Sequence, residues 1–256
     1  MTIFLSRNTF CFILLCTLHS LTIASEAKPK AIISSIVSVA LPSSIPPYAL
    51  KSEQTGIIPK LLNHVFKKMH YTPRYTYLPN KRVVKAFTLN QYDSAFSVPH
   101  PEDASRIYYS HKIFDFNNIA VTLKSDNFKI ASIGDLAGKR IAAFQNATQF
   151  LGYEFNQAIK KSTFYTEFND QQEQLKLLIK KRADVIVLER RIFEYYFKKL
   201  NVGNVLEGKF DIHPIFPSSP RYMAFHSTKV RSEFNLAFSE VKQSEVYQKL
   251  LKVGEF

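Results

Sequence analysis

A carboxylate stands at the end of an apolar, strand-like run: residues 183–189 read ADVIVLE, directly behind a helix-like segment, 171–182, with Leu175, Leu178 and Ile179 inward. In open α/β sheets ligands bind at the C-terminal edge of the strands, so Glu189 is a candidate to accept hydrogen bonds from a bound group. A buried acid needs a partner, and a salt bridge to Arg190 or Arg191 is its other use. Tyr48 follows Pro46 and Pro47, which stiffen its turn and would hold the ring over a pocket at little entropic cost, or simply pack it. Asn146, Ala147 and Thr148 lie where a strand gives way to a helix, a place where free N–H groups and the helix dipole favour an anion. Thr148 serves equally as an N-cap. His100 follows the strand-like residues 93–98 and stands near the same kind of edge. The seven histidines show no HxxxH or HExxH spacing, and there is no GxSxG elbow or P-loop. The sequence therefore predicts no metal, no cofactor and no recognisable catalytic triad.

The elements that must position these residues alternate. Residues 32–41 are rich in β-branched side chains and lead through PSSIPPY into 56–71, where Ile57, Leu61, Val65 and Met69 form a helical stripe beside Ile58, Leu62 and Phe66. A short strand at 73–78, a helix bearing Val83, Val84 and Phe87, and a buried strand at 93–98 follow. After the apolar run NIAVTL, 118–123, and a polar break at 124–129, the pattern restarts: a strand at 140–144, helices at 148–159 and 171–182, strands near Phe164 and at 183–188, and a helix at 190–200. A strand at 222–226 and helices at 231–241 and 245–253 complete the chain. This alternation predicts α/β architecture with mainly parallel sheets, and the restart predicts two lobes.

The 256 residues, 46% of them apolar, suffice for proper cores. Arg7, an apolar run of about 14 residues and then Ala24, Ser25, Glu26 and Ala27 have the layout of a cleavable secretory leader, too short for the ~20 residues of a membrane span. Residues 1–27 are expected to be removed after Ala24 or Ala27, and both cysteines, Cys11 and Cys16, go with them. No disulfide or thiol chemistry would remain. The formal charge of +13 is unchanged by that cut, and its lysines and arginines are spread along helix-like segments without a basic block. That pattern predicts a solvated basic surface or an anionic small ligand, and no nucleic-acid partner.

Seven stretches in order resemble the extracellular solute-binding proteins of family 3, the periplasmic receptors for polar amino acids and similar solutes. They are PPY at 46–48, TGIIPKLL at 55–62, YDSAF at 92–96, PEDASRIYYS at 101–110, IGDLAGKRIAAF at 133–144, RADVIVLE at 182–189 and RYMAFHS at 221–227. The resemblance implies the two-lobed type 2 periplasmic-binding-protein fold, each lobe a mainly parallel sheet flanked by helices, with two hinge strands. Lobe 1 would comprise residues 28–124 with 218–256, lobe 2 the inserted residues 125–217, and the crossings would be 119–124 and 220–224. Such receptors clamp a ligand carboxylate with an arginine just after a TPE element; here Pro101 and Glu102 match and the arginine position holds Asp103. Arg82, with Lys81, resembles the basic element of one branch of the family and is the expected substitute. Glu189 falls where many members place an acid that binds the ligand ammonium.

The function implied is a periplasmic, monomeric receptor that closes on a small amino-acid-like or anionic solute and presents it to an inner-membrane ABC permease. Tyr48, Arg82, His100, Asn146, Thr148 and Glu189 are its expected ligand-binding residues. The alternatives are a ligand-sensing module acting on a membrane receptor in trans, and a dehydratase on the same scaffold using Glu189 or Glu102 as acid or base.

Overall fold

The computed structural model describes residues 1–2, 35–99 and 106–252. The apolar run of the expected leader, Cys11, Cys16 and both cleavage points lie outside the described residues.

Two five-stranded sheets are wound in the same way. In the first, Ser35–Pro42 runs parallel between Tyr71–Leu78 and Ser94–Phe96, with helices Ile57–Lys68 and Asn80–Thr88 as connections. Met223–Phe225 lies antiparallel against Ser94–Phe96, and Tyr108–Tyr109 antiparallel against it. In the second, Arg140–Phe144 runs parallel between Phe164–Phe168 and Val185–Glu189, connected through helices Gly152–Lys160 and Gln171–Ile179. Asn118–Leu123 is antiparallel to Val185–Glu189, and Phe210–His213 completes that sheet. Along both sheets the order is second wound strand, first, third, then an antiparallel strand and one more. The strands joined by helical crossovers are parallel, as the alternation predicts; the fourth in each sheet arrives without such a crossover and can run the other way. Each sheet thus has four strands running one way and one, the fourth, running against them, mainly parallel as expected.

The periodicities explain the helices. Ile57–Lys68 buries Ile57, Ile58, Leu61, Leu62, Val65 and Phe66 on one face, and Lys67 and Lys68 complement the dipole of its last turn. Its first N–H groups are received by the turn before it: Ile57 donates to the Pro47 carbonyl at 3.1 Å and Ile58 to that of Tyr48 at 2.9 Å. So close an approach needs Gly56, which has φ +131° and where a Cβ would stand 2.4 Å from the Tyr48 carbonyl oxygen. At the C-terminus, helices Thr228–Gln243 and Glu245–Lys252 pack on Ile57–Lys68, with Phe234 set 5.7 Å from Phe66 and 5.1 Å from Phe225, ring centre to ring centre. Among the described residues no helix is long and apolar enough to cross a membrane.

The chain passes between the sheets twice, and the two passages pair as a ribbon, Phe114–Phe116 antiparallel to Ser219–Arg221. The expected first crossing at residues 119–124 is thereby corrected: Asn118–Leu123 is an interior strand of the second sheet, buried at all six positions. The polar break after it is the 3-10 turn Lys124–Asp126, held by the Lys124 N–H on the Lys209 carbonyl at 2.8 Å. Of residues 220–224, Pro220 and Arg221 belong to the ribbon and Met223 already begins the first sheet's strand.

Candidate functional site

Where the ribbon meets both sheets there is a narrow, partly open cavity of about 20 Å³, room for about one water molecule. Asn80 and Ser97 face it from the first sheet's side, Asn118, Gln171 and Glu189 from the second, and Phe116 and Arg221 from the ribbon. Asn118, Gln171, Glu189 and Arg221 are each only 2% exposed. Four buried polar side chains around one space need a reason, because such groups are costly unless paired.

Arg221 is the dominant charge. Its guanidinium lies between the rings of Phe116, at 4.4 Å, and Phe150, at 4.3 Å, an arrangement that favours a cation. One terminal nitrogen donates to the Ser219 hydroxyl at 2.7 Å and the Pro220 carbonyl at 3.3 Å, while Nε has no partner among the described residues. Burial pushes its pKa down to about 10, with Glu189 pulling the other way, so it remains a cation at neutral pH. A second space of about 260 Å³ shares Ser97, Phe150 and Arg221 with the cavity. Phe150 ends the short helix Ala147–Phe150.

Glu189 does end its strand on the cavity, as expected, but neither arginine beside it is its partner. One carboxylate oxygen accepts from the backbone N–H of Arg191 at 2.8 Å and of Ile192 at 3.2 Å, and the other from that of Asn117 at 3.4 Å. It is the N-cap of helix Arg190–Leu200. Burial raises its pKa, against those three hydrogen bonds. Asn118 stands opposite Glu189 in the sheet, and neither its Oδ1 nor its Nδ2 has a partner among the described residues. Gln171 opens helix Gln171–Ile179 with an unpaired Oε1; Gln171 and Gln174 share its inward side with Leu175 and Leu178, and Ile179 is only partly buried.

The other expected residues are dispersed. Tyr48 is fully buried behind the site, 4.6 Å from the Phe116 ring and 5.3 Å from that of Phe114, with its hydroxyl accepting from Arg191 at 3.2 Å. It braces the ribbon and does not border the cavity. The junction at Asn146 and Thr148 does receive an anion, and the anion is the chain's own: the Glu167 carboxylate accepts from the Asn146 N–H at 2.9 Å and from the N–H and hydroxyl of Thr148, each at 3.3 Å. Arg82 is exposed and off the cavity wall, because helix Asn80–Thr88 turns Val83, Ala86 and Phe87 inward. Asn80, at that helix's start, reaches the cavity instead and donates to the Gln145 carbonyl at 3.3 Å. Lys81 donates its N–H to the Gln145 side chain at 2.8 Å and sets its ammonium 3.7 Å from Glu167. His100, Glu102 and Asp103 lie outside the described residues. Arg221, Asn118 and Gln171 were not anticipated; Arg221 was present in RYMAFHS, but nothing local marks an arginine there as buried.

The family model described as bacterial extracellular solute-binding proteins, family 3, matches residues 37–253. No curated protein matches the chain by sequence. Solved structures do by shape. An ancestral arginine-binding protein bound to arginine is 18% identical with a TM-score of 0.72, over 86% of this chain and 97% of that one. The substrate-binding protein of an ABC uptake transporter from Streptococcus pneumoniae with bound histidine is 17% identical, with a TM-score of 0.70 over 85% and 91%. The GluR0 ligand-binding core from Nostoc punctiforme in complex with L-glutamate is 20% identical, with a TM-score of 0.69 over 85% and 98%. At such identities the likeness is one of fold.

Proposed function

The chain belongs to the bacterial extracellular solute-binding proteins of family 3, and from that premise we propose that it is a periplasmic receptor for a small carboxylate-bearing, amino-acid-like solute. The solute is captured where the two sheets meet and handed to an inner-membrane importer of the ABC type. The protein acts as a monomer and by binding, not turnover. The sheets are its two lobes, changing over at residues 117–118 and again between His213 and Ser219, and the ribbon of Phe114–Phe116 with Ser219–Arg221 is the hinge. One observation carries this reading above the rest: a buried, incompletely paired arginine aimed into a space bordered by both sheets and the ribbon. A guanidinium there can seize a carboxylate with charged hydrogen bonds, the role that Asp103 cannot fill. A cavity of about 20 Å³ admits no such solute while closed, so uptake requires the lobes to part, as in hinge closure about a ligand.

A thermal-shift screen of small carboxylates against the purified protein tests it. A solute at ~100 times its dissociation constant adds about 2.7 kcal/mol of stability. At least one carboxylate is expected to give that shift, and Arg221→Gln to abolish it. A flat screen, or a shift that survives Arg221→Gln, overturns the proposal.

A further inference from the structure

The unpaired atoms around the cavity are specific enough to narrow the solute. Among the described residues they are two donors, Arg221 Nε and Asn118 Nδ2, and two acceptors, Asn118 Oδ1 and Gln171 Oε1. The remaining charge, Glu189, is committed: its two oxygens hold three backbone N–H groups at the start of helix Arg190–Leu200 and at Asn117. Among the described residues, the wall thus offers a solute the incompletely paired Arg221 guanidinium and a set of neutral hydrogen-bonding atoms. A free α-amino acid would satisfy Arg221 with its carboxylate, but its ammonium would meet in Glu189 a lining carboxylate that already accepts three backbone N–H groups, leaving about one of its roughly four acceptor positions for three donors, and buried donors left unpaired are costly. An amide fits instead. Its carbonyl accepts from Asn118 Nδ2, its N–H donates to Asn118 Oδ1 or Gln171 Oε1, and its flat, neutral face suits the Phe116 and Phe150 rings. Asn118 and Gln171 are buried, one in an interior strand and one at a helix start, and their side chains belong to the wall.

We infer that this cleft takes a small monocarboxylate bearing a neutral amide, of the N-acyl or lactam type, in preference to a free zwitterionic amino acid. The inference rests on the reading of the site as a solute cleft.

The experiment is titration calorimetry with two matched pairs, L-pyroglutamate against L-proline and N-acetylglycine against glycine, on the protein expressed from its full sequence. Within each pair the amide acid is expected to bind at least tenfold more tightly. Asn118→Leu and Gln171→Leu should each reduce that ratio toward one while leaving some affinity for both members, since Arg221 is untouched. The wild-type ratios alone decide the matter if either variant fails to fold. Equal or tighter binding of proline and glycine overturns the amide inference and leaves the carboxylate receptor standing. Absence of binding by all four, and by acetate and propionate, overturns the receptor reading and the amide inference with it.

Discussion

Glu189 shows how one side chain can be placed as expected and be occupied differently from expectation. It is held by three N–H groups, yet its pKa is raised because burial outweighs them. An unfolded glutamate ionises near ~4.3, so between that pH and the higher folded value the native protein holds a proton the unfolded chain has lost. Stability linked to this group is therefore greatest at low pH and falls as pH rises through that window. Urea midpoints of wild type and Glu189→Gln at pH 4.5 and pH 7 should diverge, with wild type losing ground to the variant at the higher pH. A pH-independent difference would mean that the helix start stabilises the charge fully. The position of Glu189 was legible because an apolar strand ending in an acid is a local pattern. Arg221 was not, since its burial comes from Phe116 and Phe150, distant in sequence. Asn118 was read only as the first letter of a strand, and nothing in NIAVTL says that its carboxamide would be left without a partner. Arg82 is exposed because helix Asn80–Thr88 turns Val83, Ala86 and Phe87 inward.

At the level of elements, the turn at residues 46–48 and the helix Ile57–Lys68 form one unit, joined by two main-chain hydrogen bonds over Gly56. Gly56→Ala places a methyl group against backbone that cannot rotate away, at a φ that side chains avoid. It should cost about 3 kcal/mol and lower the melting temperature by roughly 10 °C, measured by calorimetry. A shift within two degrees would show that the turn can relax away from the helix. Helix and strand identities were read well because one face of each is apolar at the right period, as in the stripe of residues 57–66. Their sheet assignment was harder. Asn118–Leu123 is apolar on both sides, and such a strand looks the same inside a sheet as in a crossing between two; only its pairing with Val185–Glu189 and Phe210–His213 decides. The inward glutamines of helix Gln171–Ile179 were likewise invisible to a reading that sorts residues by polarity.

Across the whole molecule, polar contacts bridge the two sheets' sides, among them Arg191 donating to the Tyr48 hydroxyl at 3.2 Å. Asn80 and Lys81, from the first sheet's helix, meet Gln145 and Glu167 of the second, and the Lys81–Glu167 pair at 3.7 Å, with the lysine exposed, is worth under ~1 kcal/mol. Gln145→Ala removes the acceptor for the Lys81 N–H, about 1 kcal/mol, and should shift the balance toward the open form about fivefold. Small-angle scattering of the solute-free protein should register a larger radius of gyration in the variant, returning to the wild-type value with solute; an unchanged radius would assign closure to other contacts. The same geometry bears on how binding is reported. Arg221 stands on the ribbon itself, not on either sheet. A solute gripped there works at the fulcrum, the short end of a lever whose long arms are the two lobes. Displacement at the grip is small and the stroke at the outer rims is large, so a membrane partner resting across both rims senses occupancy without ever reaching the solute.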